Sequence, residues 1–232
     1  DFNSEDCKYT TLKRSTLVNF LKRDLLDIIK TEHNISKIEQ LDNQIKLYFE
    51  NNEINICDYL IISDGVFSKS KNLISNNKTK PKYHDSLAIR GIIKKLPDNI
   101  DNKNISLFLG SDFHHVIYPV SPTGSYNFVA IIKYPLSKDK QNDCSLFNEN
   151  SFIKTVLDKF PPAIKDISNN LENLKIFPVF VSNEFYQIKS DNIHLIGDAF
   201  FALPPSFAQG ASQSIESAYE LFKNIENNTE SN

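Results

Sequence analysis

The stretch Asn192–Phe222, NIHLIGDAFFALPPSFAQGASQSIESAYELF, decides the fold. It opens on a short apolar run, turns at Gly197-Asp198, loops through Pro204 and Pro205, and reaches Gln209-Gly210 ahead of a helical pattern. The order is strand, acidic turn, proline loop, helix. A carboxylate at the tip of a buried strand can accept hydrogen bonds from vicinal hydroxyls, each worth roughly 1.5–3 kcal/mol when the acceptor is charged. A helix starting near Ala211 or Ser212 would present free N–H groups and the positive end of its dipole. Gly197 and Gly210 admit another molecule's backbone or ring. Alone, a Gly-Asp pair is more often a helix cap or a turn. Here it stands in register with Pro205, Gln209-Gly210 and Ile215-Glu216.

Outward from that stretch, two absences set the frame. The chain has 232 residues and no methionine, and its six glycines (65, 91, 110, 124, 197, 210) are all isolated. No G-x-G-x-x-G exists, and a complete dinucleotide-binding protein needs that loop for the pyrophosphate. The chain is therefore expected to be an internal piece of a longer protein, inactive by itself. A net charge of −3 with scattered lysines gives no footprint for nucleic acid. No apolar run reaches the roughly 18 residues of a membrane span. Cys7, Cys57 and Cys144 are odd in number and lack metal-ligand spacing, which reads as reduced thiols in a cytoplasmic protein.

Residues 9–30 place leucines and isoleucines at helical spacing, with Ser15 or Thr16 as N-cap. Segments 34–40, 44–50 and 54–57 alternate and predict a small antiparallel ribbon. DYLIISDG (58–65) predicts a buried strand ending in a turn. From Pro81 onward, segments 86–96, 105–110, 114–120 and 126–134 predict an antiparallel sheet. Helices follow over 148–160 and 163–175, then strands over 177–182 and 193–196.

The stretch from Gly197 to Ala218 resembles the second flavin-contacting motif of the FAD-dependent aromatic hydroxylases, the para-hydroxybenzoate and salicylate hydroxylase group. That motif runs roughly G-D-A-A-H-x-x-x-P-x-x-x-Q-G-x-x-x-x-I-E-D-A. Gly197, Asp198, Ala199, Pro205, Gln209, Gly210, Ile215, Glu216 and Ala218 match, while Phe201 replaces the histidine and Ser217 the acidic residue. Asp64, Gly65 and Ser68 resemble the family's D-G-x-x-S-x-V-R turn, with Lys71 in the arginine's place. Arg14, Leu17 and Leu21 resemble its R-x-x-L-x-x-x-L helix. HHVIYP (114–119), followed by Asn127-Phe128-Val129-Ala130, resembles the substrate sheet of the salicylate hydroxylase branch. Arg90 stands in its W-R-G strand, where Ile89 replaces tryptophan.

The resemblance implies an α/β flavoprotein hydroxylase fold with an inserted antiparallel-sheet substrate domain. Its expected partition is 1–80 and 183–232 for the FAD-binding domain and 81–182 for the substrate domain. It implies FAD contacts from Arg14, Asp64, Gly65, Gly197, Asp198, Pro205, Gln209, Gly210, Ala211 and Ser212. Asp198 would hold the ribityl chain. Arg90, His114, Tyr118 and Pro204 would bind substrate, with His114 and Tyr118 catalytic through proton relay from a phenol-like oxygen. Strand parity puts His114 and Tyr118 on one face. The implied reaction uses NADH or NADPH to reduce FAD, and O₂ then adds to form a C4a-hydroperoxide that hydroxylates a small aromatic substrate. Other readings remain: a ubiquinone-pathway or isoprenoid-type hydroxylase, or a non-catalytic flavin-fold binding module. The first of these usually carries G-Q-G-L-N where this chain has Ala208-Gln209-Gly210-Ala211-Ser212. A homodimer is left open.

Overall fold

A computed structural model describes residues 10–74, 80–98, 100–121, 124–168, 170–186 and 188–230. In chain order the elements are α1 (Arg14–Lys22), β1 (Ile35–Gln40), β2 (Ile45–Phe49), β3 (Ile54–Cys57), β4 (Leu60–Ile62), α2 (Lys69–Ile74), β5 (Lys82–Ile93) and β6 (Ser106–Leu109). They continue with β7 (Phe113–Ser121), β8 (Ser125–Lys133), α3 (Lys138–Gln141), α4 (Asn150–Leu157) and α5 (Pro162–Ser168). The last are β9 (Glu172–Val181), β10 (Ile193–Leu195), α6 (Gly197–Phe200) and α7 (Gly210–Glu230). The chain divides into two units: Asp1–Ile29 with Asp85–Val179, and Lys30–His84 with Phe180–Asn232.

The first unit is built on a five-stranded sheet in the order β6-β7-β8-β5-β9. The pairings β5–β8, β6–β7 and β7–β8 are antiparallel, as the alternating pattern requires. Leu87, Ile89 and Ile93 of β5, Ile117 of β7, and Phe128, Ala130 and Ile132 of β8 fill one face. They belong to one core with Val156, Phe160, Ile164 and Ile167 from α4, α5 and the segment joining them. Burial of the ten-odd large apolar side chains at roughly 1.5–3 kcal/mol each is what holds this layer together.

The second unit joins an antiparallel ribbon, β1-β2-β3, to a parallel pair, β10 with β4. Its core gathers Ile45, Leu47, Leu60, Ile62, Ile193 and Ala199. A parallel pair needs a crossover between its strands. Here that crossover is the whole intervening chain from Ile62 to Ile193, which includes the five-stranded sheet.

Three expectations are corrected. The helix expected over 9–30 is helical only over Arg14–Lys22, and Lys13, with no side-chain hydrogen bond, stands at its cap instead of Ser15 or Thr16. None of its residues is buried, and Val18, Phe20, Leu21, Leu25 and Leu26 are exposed. An amphipathic stripe without a packing partner does not sustain a long helix in water. The helix expected over 163–175 ends at Ser168, and Glu172 already opens β9. Residues 173–176 alternate outward and inward, ending on buried Ile176, which is a strand period that the helical reading missed. Within 58–65 the expected strand and turn form, at Leu60–Ile62 and Gly65, but the strand is not buried throughout, since Ile61 is exposed. Of the cysteines, Cys57 and Cys144 are free thiols, and Cys7 lies outside the described residues.

Candidate functional site

Strands β4 and β10 run parallel in register, Leu60 beside Ile193 and Ile62 beside Leu195. Both therefore end at one edge, and each runs on into an acidic turn: Ser63-Asp64-Gly65 after β4, Gly197-Asp198 after β10. The carboxyl end of parallel strands is where open α/β sheets bind their ligands.

The two aspartates differ in what they touch. Asp64 accepts the Ser70 N–H at 3.0 Å, and Ser68 Oγ accepts the Lys71 N–H at 3.0 Å. Together they cap the start of α2. Burial pushes the Asp64 carboxyl up, but hydrogen bonds from Ser68 and Ser70 outweigh it, and the net shift is down. Gly65, at φ +83°, makes the turn between strand and cap. The Asp-Gly pair is thus a strand-to-helix turn here, not a hairpin.

Asp198 has no hydrogen-bond or ion-pair partner among the described residues. Partial loss of water raises its pKa above the ordinary value. It sits in α6, a single helical turn that starts at Gly197 with φ +57°. A Cβ at Gly197 would lie 2.8 Å from Ser214 Oγ, so this turn abuts the beginning of α7. Ser214 Oγ donates to the Gly210 carbonyl at 2.7 Å, and Ser212 Oγ to the Gln209 carbonyl at 3.0 Å. Gln213 N–H is bonded to the Gln209 carbonyl. The N–H groups of Gly210, Ala211 and Ser212 precede that bond and have no intrahelical acceptor.

The loop between carries Pro204 and a short 3-10 turn at Pro205–Phe207. Ala208 follows at φ +53°, a left-handed conformation that costs a non-glycine residue on the order of 1 kcal/mol. A Cβ at Gly210 would meet nothing within 4 Å. Among the described residues nothing crowds that position, so the helix start is open there. The Phe201 that stands in the histidine's place stacks on Phe185 at 4.4 Å. Unpartnered carboxylate, open glycine and unfilled helix N-terminus form a set of donors and acceptors suited to a hydroxyl-rich, ring-bearing cofactor such as FAD.

Sequence reasoning noted Lys71 only as a departure, and missed Tyr186. Lys71 is buried, and its ammonium reaches the Ala199 carbonyl at 3.4 Å. Tyr186 donates to the Lys71 carbonyl at 3.1 Å.

In the first unit, the sheet face opposite the α4–α5 core carries the other candidates. Register sets them in rows. Tyr118 pairs with Asn127 and Asn127 with Ile92; Val116 pairs with Val129 and Val129 with Arg90; His114 pairs with Ile131 and Ile131 with Ala88. Arg90, His114, Tyr118 and Asn127 thus share one face. His114 and Tyr118 stand four residues apart, about 14 Å along the strand. Burial lowers the pKa of His114, which keeps its ring neutral at neutral pH. Leu107 and Leu109, exposed on edge strand β6, extend the same face. Arg14, the first residue of α1, is exposed in this unit too.

His115 takes the other face. It is 1% exposed, stacks on Phe108 at 4.3 Å, and neither ring nitrogen has a hydrogen-bond partner among the described residues. Burial pushes its pKa down to about 4, and the neighbouring His114 adds to that. Parity with Ile117 was the available signal.

The pattern that defines the FAD binding domain family matches residues 31–229. A chloroplastic zeaxanthin epoxidase from an Oncidium hybrid cultivar is 23% identical over 220 residues, covering 93% of this chain and 32% of the epoxidase. Salicylate hydroxylase from Pseudomonas putida is 25% identical over 206 residues, covering 80% of this chain and 47% of that enzyme. Among solved structures, a salicylate hydroxylase substrate complex superposes with a TM-score of 0.69 at 18% identity, covering 89% of this chain and 55% of the other. The chain spans a third to about half of these relatives. At that identity the superposition shows the flavoprotein hydroxylase fold. Among the described residues no group of His, Cys, Asp and Glu is placed to hold a metal, and no helix is long and apolar enough to cross a membrane.

Proposed function

This chain belongs to the FAD binding domain family, and from that premise we propose that it is part of an FAD-dependent monooxygenase acting on a small aromatic substrate. The observation that carries the proposal is the unpartnered Asp198 carboxylate at the shared end of β4 and β10, beside the open start of α7. Bound there, FAD would supply electron transfer from NADH or NADPH and activation of O₂ for insertion into the substrate. The carboxylate would accept hydrogen bonds from ribityl hydroxyls. The N–H groups of Gly210, Ala211 and Ser212 would offset negative charge on the reduced ring. Pro204, Pro205 and Gln209 shape the loop between them, and Gly65, in the same unit, is a further expected contact. The expected cofactor segments are 1–80 and 183–232, with substrate on 81–182, in a cytoplasmic protein.

On the substrate sheet, His114 and Tyr118 would orient the ring and relay the proton of its hydroxyl, and Arg90 would pair with an acidic substituent. A neutral His114 is the form that can accept a proton.

The test uses the full-length protein. It should be yellow, bleach with NADH or NADPH, and consume O₂ faster with a phenolic acid present. Tyr118→Phe and His114→Ala should slow hydroxylation or divert it to hydrogen peroxide while FAD stays bound. A colourless protein that ignores NAD(P)H would leave the reading of a non-catalytic binding module. A second reading, a long apolar substrate, is favoured by exposed Leu107 and Leu109 on the same face and by the zeaxanthin epoxidase relative. Stimulation by an isoprenoid and not by phenolic acids would select it.

A further inference from the structure

The buried lysine of the second unit is the feature that the flavin reading leaves unexplained. Lys71 is 7% exposed, on a helix of six residues. Lysine is almost never fully buried unless paired, because its ammonium gives up its hydration on entering the interior. An apolar residue would fill the same space without that cost. Burial lowers the pKa of the Lys71 ammonium, attraction to the Asp64 carboxylate opposes that, and the ammonium faces the Ala199 carbonyl at 3.4 Å and the Tyr186 ring 5.6 Å away.

The Ala199 carbonyl belongs to α6, the turn that carries Asp198. A four-residue helix is marginal by itself. This one has no side-chain cap at its start, and its last carbonyls lie at the negative end of its dipole. Ala199 is fully buried, so water does not reach that carbonyl to replace a lost partner. A cation at that end is what such a turn requires. Lys71 is itself anchored at its backbone: its N–H is bonded to Ser68 Oγ and its carbonyl accepts from Tyr186. One residue thereby joins the Asp64-Gly65 turn, α2, the Tyr186 segment and the Gly197–Phe200 turn.

We propose that Lys71 is a positioning residue of the flavin site: its ammonium, bonded to Ala199, fixes the turn that aims the Asp198 carboxylate at the ligand. The proposal rests on the reading of Asp198 as the FAD-binding carboxylate.

The experiment is a double-mutant cycle on the full-length protein, with the FAD dissociation constant read from flavin fluorescence. Lys71→Met should weaken FAD about tenfold. Lys71→Arg, whose guanidinium can reach the same carbonyl, should restore affinity to within about threefold of wild type. In the Asp198→Ala background, Lys71→Met should have no further effect on FAD. An equal loss in both backgrounds would overturn the positioning role while leaving the flavin site intact. Wild-type affinity in Asp198→Ala itself would instead overturn the reading of that site. Should Lys71→Met not fold, Tyr186→Phe, which releases the Lys71 carbonyl and keeps the charge, serves in its place. It should weaken FAD in the wild-type background alone, and an effect of the same size in Asp198→Ala would contradict the proposal.

Discussion

Asp64 and Asp198 follow neighbouring parallel strands and leave them at the same edge, yet the fold uses them in opposite ways. Asp64 spends its carboxylate on the start of α2, and hydrogen bonds win over burial to lower its pKa. Asp198 has no partner among the described residues, and burial alone raises its pKa. A carboxylate bonded to the protein stabilises it; an exposed one held in a glycine-started turn and bonded to no protein group stays available to a ligand. Position at the end of a strand therefore does not identify a ligand-binding acid. What its oxygens already accept does.

The largest effect should come from the turn that holds Asp198. Gly197→Ala places a side chain at φ +57° and 2.8 Å from Ser214 Oγ. It should cost about 2 kcal/mol in chemical unfolding, and adding Ser214→Ala should recover only the steric part. Full recovery would show that the left-handed backbone is not strained.

Acid sharpens the contrast between partnered and unpartnered groups. His115 has a folded pKa of about 4 against an ordinary 6.5, so folding favours its neutral form. Its unfolded form takes up protons first, and stability should fall as pH drops from 6.5 toward 4, by on the order of 1–3 kcal/mol. His115→Phe should flatten that part of the profile. An unchanged profile would mean that the ring is hydrated.

Asp64→Ala removes a cap and should lower stability by about 1 kcal/mol at pH 7. Its contribution is present above the unfolded carboxylate pKa and lost as pH falls through the lower folded one, so the cost of the substitution should shrink in acid. Asp198→Asn should do the reverse. A carboxyl with a raised folded pKa is a burden at neutral pH, relieved as it protonates. Asp198 is exposed, so water screens much of that burden, and removing its charge should leave the melting temperature of the FAD-free protein unchanged or slightly raised. Equal destabilisation by both substitutions would erase the comparison.

Much of this was legible in the sequence. Alternation in 34–57 and 86–134 specified the ribbon and the sheet, because period-two patterns survive wherever one face is buried. The order of Gly197-Asp198, Pro205 and Gln209-Gly210 located the acidic turn and the helix start within a residue or two. The helix over 9–30 failed because periodicity states what a segment could bury, not whether a partner is present. The strand at Glu172 was hidden by a run whose apolar spacing suits either period. Lys71 was illegible in principle. Its partner, the Ala199 carbonyl, lies 128 residues away and is a backbone atom that carries no side-chain signature. His115 drew no reading of its own, although its parity with Ile117 carried the signal that it faces the core.

The most direct test is FAD binding by the full-length protein carrying Asp198→Asn or Asp64→Asn, measured beside the melting temperature of each FAD-free form. Asp198→Asn should weaken FAD at least about tenfold without lowering the melting temperature, whereas Asp64→Asn should lower it and leave FAD affinity within about threefold. Wild-type FAD affinity in Asp198→Asn would contradict the account at its centre.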